Sequence, residues 1–236
     1  NEMQLVNVTT IPDNKTTIQN SALQNNTDVK FKIQMQLPSD LAYTQPYWLK
    51  EKATVGMYTV SNQENIGIPD IIREVKVIFN VKINGVEIPF ERTVVYKYND
   101  DVKGEMYNFL DIVPEVTTSI LEKVLIFNGT KTKMIPVKVR AGKDNIKGNL
   151  QLELPNSWMV SPKQIPFALD KKGNEQIFYF EVVSPSQPEE TVAKAVAIVD
   201  GKRFDKDQTI INYSHITKQM VLKPAESKCI KLDLKT

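Results

Sequence analysis

Alternation of apolar and polar residues runs through several stretches of this chain, and it restricts the fold more than any other sequence feature. From Val29 to Leu37 every odd position is apolar and every even position is polar, and Val75 to Ile83 is likewise apolar at each odd position. Successive side chains of a strand face opposite sides of a sheet, so this pattern predicts strands with one buried and one solvated face. We therefore expect an all-β fold.

Turn residues separate these runs at the spacing of β-hairpins. Asn84-Gly85 stands between the second run and a third, Val86–Tyr98, and Asp200-Gly201 follows Ala193–Val199. Asn-Gly and Asp-Gly readily adopt the positive φ angles of tight hairpin turns. Pro89 has no N–H to donate, so we expect an edge strand or a bulge at that position.

The length of 236 residues suits two domains of ordinary size. Short strands with regularly spaced turns predict two tandem immunoglobulin-like β-sandwiches, residues 1–122 and 123–236. The opening residues 1–26 are polar and weakly patterned. Near the boundary, Pro114–Lys123 fits one or two helical turns or an extended linker equally well.

Each predicted sandwich has an expected core. The apolar positions of the two alternating runs should face one core, and three aromatic residues should face the other. The residues are Val29, Phe31, Ile33, Val75, Val77 and Phe79 for the first core, and Trp158, Phe178 and Phe180 for the second.

Composition excludes several classes of function. The 30 basic and 28 acidic residues leave a net charge of +2, which gives no reason to expect a nucleic-acid partner. No stretch approaches the roughly 18 apolar residues of a membrane span. His215 and Cys229 are the only histidine and cysteine, too few for a poly-histidine or multi-thiolate zinc site. We interpret His215 as a structural or surface residue and Cys229 as a small core residue, and expect no cofactor in this chain.

Aromatic residues supply the candidate contact site. Tyr43, Tyr47 and Trp48 lie in an irregular stretch that also contains Pro46. Such rings either stack on sugars, contact another domain, or serve as core anchors. We expect Tyr47 and Trp48 to be partly exposed, with all three aromatic residues available to a glycan or a neighbouring domain.

Several short motifs resemble a known family. Leu154–Pro162 (LPNSWMVSP) is similar to the small sandwich modules attached to many carbohydrate-active enzymes. Further motifs follow in one order: Thr44–Leu49 (TQPYWL), Val95–Lys97 (VYK), Val102–Glu105 (VKGE), Ile112–Pro114 (IVP) and Ile211–Gln219 (INYSHITKQ). Together they resemble the C-terminal region of large PIG-L-type (LmbE-like) N-acetylglucosaminyl deacetylases of Bacteroidetes, over most of residues 40–236.

The resemblance implies a non-catalytic accessory region of an extracytoplasmic enzyme acting on amino-sugar conjugates. The family's zinc is held by a His-Pro-Asp-Asp signature in a separate α/β domain, the expected partner within the same polypeptide. This chain contains no His-Pro pair, so no catalytic residue is carried over. Two alternatives remain open: a carbohydrate-binding module that uses Tyr47 and Trp48, and a structural surface or adhesion spacer.

Overall fold

The chain is all-β, as the alternation predicts. The computed structural model describes residues 2–69, 71–129, 132–213, 215–216 and 218–233. Within these residues the only helical elements are the short 3₁₀ turns Tyr47–Leu49 and Gln63–Asn65. None of the described helices has the length and hydropathy that a membrane crossing requires.

The chain packs into two compact units, and each consists of two separate stretches of sequence. The first unit contains Asn1–Thr44 and Ile68–Ile112, and the second contains Gln45–Gly67 and Val113–Thr236. The second unit therefore includes a stretch that interrupts the sequence of the first.

One four-stranded antiparallel sheet forms the first unit, in the order β2-β1-β3-β4, together with a separate hairpin of β5 and β6. Its strands are β1 (Met3–Ile11), β2 (Thr16–Ala22), β3 (Lys76–Ile83), β4 (Val86–Thr93), β5 (Val95–Asp100) and β6 (Gly104–Phe109). Asn84 and Gly85 both have positive φ between β3 and β4, which confirms the predicted hairpin. β4 is an edge strand, which confirms the expectation for Pro89.

A β-bulge in β1 lets its apolar residues share one face of this sheet. The pairing with β3 shifts between Leu5 and Asn7, so Leu5 lies opposite Val81 while Val8 lies opposite Phe79. Leu5 and Val8 are three positions apart and would otherwise face opposite sides. With the bulge, both are buried in the small core of the first unit.

The segment Val29–Leu37, predicted as a strand, pairs with no strand in the described part of the chain. It has no regular secondary structure, its odd positions up to Met35 are less exposed than its even ones, and Phe31 and Ile33 pack against the core of the sheet. We call it the covering segment. The alternation therefore predicts which face of the segment is buried, but it does not predict whether the segment pairs with a strand. The first unit is one covered sheet and a hairpin, which differs from the expected immunoglobulin-like sandwich.

Side chains of the β1–β2 turn hold the covering segment. The Asp13 carboxylate accepts hydrogen bonds from the Thr10 hydroxyl at 2.5 Å and from the Gln36 N–H at 3.1 Å. The Lys15 ammonium donates to the Gln34 carbonyl oxygen at 3.4 Å. The hydrogen bond from Thr10, followed by smaller backbone contributions, lowers the pKa of Asp13 below 3.8, its usual value.

Asp13 should make the stability of the first unit depend on pH. A carboxyl whose pKa is lower in the folded chain adds stability above its unfolded pKa, and that contribution is lost as the pH falls through its folded pKa. We expect Asp13→Asn to lower the unfolding temperature at pH 7. At pH 3 the difference in unfolding temperature between the variant and the original chain should be smaller. Thermal unfolding at both pH values measures this, and an equal difference at both would contradict it.

The second unit is a β-sandwich of a six-stranded and a four-stranded sheet, with an additional hairpin of β16 and β17. Its strands are β7 (Val116–Ile120), β8 (Val124–Asn128), β9 (Thr132–Ala141), β10 (Ile146–Glu153), β11 (Met159–Ser161), β12 (Ile165–Leu169), β13 (Glu175–Val183), β14 (Glu189–Val199), β15 (Lys202–Phe204), β16 (Lys206–Ile211), β17 (Gln219–Pro224) and β18 (Glu226–Leu232). The larger sheet has the order β12-β10-β14-β18-β8, with β15 also paired to β14; the smaller has the order β11-β13-β9-β7. Asp200 and Gly201 form the β14–β15 turn with positive φ, as predicted.

Inward-facing residues of both sheets form one continuous core. Phe180 of the smaller sheet and Leu150 of the larger one are both 0% exposed. Trp158 is buried beside Phe127, with ring centroids 4.9 Å apart, and its indole N–H donates to Glu189 at 3.1 Å. Phe178 packs against the same core, so the three aromatic residues predicted for it are confirmed.

β7 corrects two expectations about the middle of the chain. The stretch Pro114–Lys123 contains a strand in place of helical turns, and this strand pairs with β9 from Val116↔Ala141 to Ile120↔Val137. Of its five residues only Ser119 is not buried. The predicted boundary at residue 122 therefore lies too late: the second unit resumes at Val113, because β7 completes its smaller sheet.

The polar opening of the chain also forms regular structure. β1 and β2 lie within residues 1–26, where the sequence is weakly patterned. The bulge interrupts the alternation of β1, and β2 is an edge strand whose side chains are all exposed or half-exposed. Neither strand could show a clear alternating pattern for these reasons.

Candidate functional site

The predicted contact residues fall in both units. Tyr43 belongs to the first unit and its side chain is exposed. Tyr47 and Trp48 belong to the second unit, where Pro46 precedes a 3₁₀ turn that contains both. Their rings meet edge to face, with centroids 4.9 Å apart and planes at 89°, and both are half-buried. The expectation of partial exposure is confirmed for these two residues.

The stretch Gln45–Gly67, here called the aromatic loop, has little regular structure. Two 3₁₀ turns and a single β-bridge between Thr54 and Met57 are its only elements. Its exposed large apolar side chains are Val55, Met57, Tyr58 and Ile66. Large apolar side chains clustered in one exposed stretch are typical of a contact surface, whereas isolated ones are ordinary.

An acceptor within the aromatic loop lacks a donor. Gln45 Oε1 is buried and accepts no hydrogen bond from any residue that the structure describes. A buried acceptor without a donor costs about 1–3 kcal/mol. Such a group is satisfied either by ordered water or by a donor outside the chain. The sequence alone gives no signal for it, because glutamine is common in exposed loops.

A buried arginine lies in the first unit, and no local sequence pattern marks it. The Arg73 side chain is 5% exposed and its Nε lies 3.3 Å from the Asp111 carboxylate. Its guanidinium carbon stands 3.9 Å from the centre of the Phe109 ring, and Nη1 donates to the Ile71 carbonyl oxygen. Arg73 joins the stretch before β3 to the end of the β5–β6 hairpin. This is a structural arrangement, since every one of these contacts is internal to the unit.

We expect Arg73→Met to destabilise the first unit by about 2 kcal/mol, because it leaves the Asp111 carboxylate four-fifths buried without its partner. Adding Asp111→Asn should recover part of this loss, and a double-mutant cycle by urea unfolding measures the coupling. An Arg73→Met variant as stable as the original chain would contradict the structural role of the Arg73–Asp111 ion pair.

A charged network lies on one face of the β5–β6 hairpin. Lys97 and Glu105 form an ion pair at 2.5 Å, and the Tyr107 hydroxyl donates to the same carboxylate. The hydrogen bond from Lys97 lowers the pKa of Glu105, while hydrogen bonds to Glu105 raise the pKa of both Lys97 and Tyr107. At neutral pH the pair is ionised and the phenol is protonated. These shifts move all three groups away from the pKa near 7 that suits a general acid or base.

His215 is exposed to solvent, whereas Cys229 is buried. The His215 ring stacks on Tyr213, with centroids 5.9 Å apart. Cys229 faces the core of the second unit, and burial raises its thiol pKa to about 11, so the reactive thiolate is scarce at neutral pH. Among the described residues no group of three or more histidine, cysteine, aspartate or glutamate side chains is arranged to hold a metal ion.

Comparisons with known proteins assign no family to this chain. Its sequence matches no protein-family model, and no curated protein matches it.

Proposed function

We propose that this chain is a non-catalytic accessory region of a PIG-L-type de-N-acetylase, and that its aromatic loop packs against a catalytic domain outside the chain. The zinc would be bound by that domain, through the His-Pro-Asp-Asp signature that this sequence lacks. The proposal includes an extracytoplasmic location and amino-sugar conjugates as substrates, both as implied by the resemblance.

The exposed apolar side chains of the aromatic loop carry this proposal. Val55 is 104% exposed, Met57 72% and Tyr58 65%, in a stretch without a sheet to support it. Burying one such side chain against a partner contributes about 1.5–3 kcal/mol. The charged residues of the loop are two lysines and two glutamates, so it carries no net charge. A largely uncharged protein surface complements such a loop better than a nucleic acid does.

Two further observations support a protein contact at this loop. Gln45 Oε1 needs a donor, which a neighbouring domain can provide. Tyr47 and Trp48 are half-buried and perpendicular, so they present no common plane to a sugar ring. They therefore suit a protein contact better than a flat stacking platform.

A carbohydrate-binding module remains the second candidate, on a different pair of rings. Tyr96 and Tyr98 stack along β5 with centroids 5.6 Å apart and planes at 21°, and Tyr96 is 68% exposed. Tyr98 is half-buried, so the exposed Tyr96 ring is the one that suits the apolar face of a pyranose. Isothermal titration with N-acetylglucosamine oligosaccharides tests this candidate: Tyr96→Ala should abolish any binding, while Trp48→Ala should leave it unchanged.

The complete reading frame that encodes this chain tests the leading proposal. We expect it to encode an α/β domain with His-Pro-Asp-Asp, and the full protein to bind zinc and release acetate from N-acetylglucosamine conjugates. The isolated chain should bind no stoichiometric zinc and release no acetate, because it has one histidine and no metal-binding cluster among its described residues. Turnover by the isolated chain that His215→Ala abolishes would overturn the proposal.

A matched pair of valines tests the contact itself. Val55 in the aromatic loop and Val102 in the β5–β6 turn are both almost fully exposed in this chain. In the full protein, Val55→Asp should reduce amide-exchange protection of residues 45–67 and lower the unfolding temperature, whereas Val102→Asp should change neither. Equal effects of the two substitutions would contradict a contact at the aromatic loop.

A further inference from the structure

The first unit contains an apolar cleft of about 340 Å³ between the covering segment and the sheet. Eight side chains line it, and seven of them are apolar. Ile33, Met35 and Leu37 come from the covering segment, and Val75 and Val77 come from the sheet side. The cleft is open to solvent on one side, so a ligand can enter it without unfolding of the unit. Its volume lies in the range of small-molecule sites.

The lining chemistry restricts what can fill the cleft. Its apolar side chains are all aliphatic, so no aromatic ring is available to stack on a planar ligand. The one polar lining residue, Thr10, already donates its hydroxyl hydrogen to Asp13. At about 30 Å³ for each water-sized group, the cleft holds roughly eleven such groups. An unbranched alkyl chain of about eight carbons fits both this volume and this lining.

The edge strand β4 carries a cation, Arg92, directly beside the cleft residue Val77. Thr10, Val77 and Arg92 form a row across the sheet, because Val77 pairs with Thr10 on β1 and with Arg92 on β4. Directly paired residues share a face of the sheet, so Arg92 lies on the cleft side. Its side chain is exposed, donates to the Glu91 carbonyl oxygen, and has no carboxylate within ion-pair distance among the described residues.

The anion beside the cleft residue Thr10 is already engaged. The Asp13 carboxylate accepts hydrogen bonds from Thr10 and Gln36. A ligand carboxylate is therefore attracted toward Arg92 and away from Asp13, which gives the ligand one orientation.

We infer that the first unit binds a medium-chain alkanoate, with the alkyl chain in the cleft and the carboxylate at Arg92. The covering segment is held to the sheet by side-chain hydrogen bonds at Asp13 and Lys15 and by apolar packing, without pairing to any of the described strands. It can adjust to the bound chain without breaking a strand ladder. This site shares no residue with the aromatic loop and does not depend on the function proposed above.

Isothermal titration of the chain with octanoate, octanol and octylamine tests the inference. We expect saturable one-to-one binding in which octanoate binds most tightly and octylamine most weakly. Arg92→Gln should weaken octanoate binding by about tenfold and leave octanol binding unchanged, since only the charge-assisted contact is lost.

A second pair of variants tests the cleft. Leu37→Trp, which fills the cleft from the covering segment, should abolish binding of octanoate and octanol. Val86→Trp is the control, because Val86 lies on the same face of the sheet, outside the cleft, and is 62% exposed. Circular dichroism verifies that each variant is folded. Absence of octanoate binding by the original chain, or equal binding by Leu37→Trp, would overturn the inference.

Discussion

Phe180→Ala should lower the free energy of unfolding of the second unit by about 4 kcal/mol. Phe180 is 0% exposed and is the largest of the fully buried side chains in the described residues. It lies on β13 and faces the core between the two sheets. Truncation removes most of its buried apolar surface and leaves a cavity that close-packed neighbours on two sheets fill only in part.

Tyr179→Ala is the matched control for this substitution. Tyr179 precedes Phe180 on the same strand, faces outward and is 55% exposed. Its loss should cost less than about 1 kcal/mol, because an exposed ring leaves no internal cavity. Urea unfolding followed by the fluorescence of Trp158, which is buried in the same core, reports on this unit. Equal destabilisation by both variants would contradict the assigned orientation of β13.

Gly148→Ala should destabilise the second unit by about 3 kcal/mol. A Cβ atom at Gly148 would lie 2.3 Å from the Ile198 carbonyl oxygen and 2.9 Å from a methyl carbon of Val199. The carbonyl belongs to β14, which has neighbours on both sides in the larger sheet and cannot move away freely. Relief of this clash requires a shift of the backbone of β10 or β14.

Lys147→Ala provides the control at the adjacent position of β10. The Lys147 side chain is exposed, and alanine there adds no atom that meets β14. We expect it to leave the urea midpoint nearly unchanged. A Gly148→Ala variant with the stability of the original chain would show that β10 and β14 approach less closely than described.

Sequence patterns predicted the parts of this fold that depend on local chemistry. The run before Asn84-Gly85 forms β3, and the two residues form its turn, because period-two burial and positive φ are encoded by neighbouring residues. Trp158 and Phe180 reached the predicted core for a similar reason: large aromatic residues gain most from burial.

Features that depend on distant residues were not predictable in this way. The covering segment alternates like a strand, but whether it joins a ladder depends on which partner strands are available. β7 carries two threonines that suit either a linker or a strand, and only its pairing with β9 decides between them.

The candidate sites show the same distinction between features that depend on neighbouring residues and features that depend on distant ones. Tyr47 and Trp48 were identifiable because aromatic residues beside a proline mark an irregular, partly exposed stretch. Arg73 was not, because its partner Asp111 is 38 positions away in the sequence. The cleft also brings together residues from β1, the covering segment and the end of the first unit, which no local pattern connects.

The position of β18 has a consequence for the synthesis of this protein. This strand is the last of the described strands in chain order, yet it lies inside the larger sheet between β14 and β8, and it is the parallel partner of β8. β8 is made about a hundred residues earlier, and among the described strands it has no other neighbour in that sheet. On the ribosome, the larger sheet is therefore incomplete until β18 has left the exit tunnel. A stop codon directly before β18 should release a chain in which β14 and β8 each have an edge that β18 would otherwise pair, and such a chain is a substrate for chaperones and proteases.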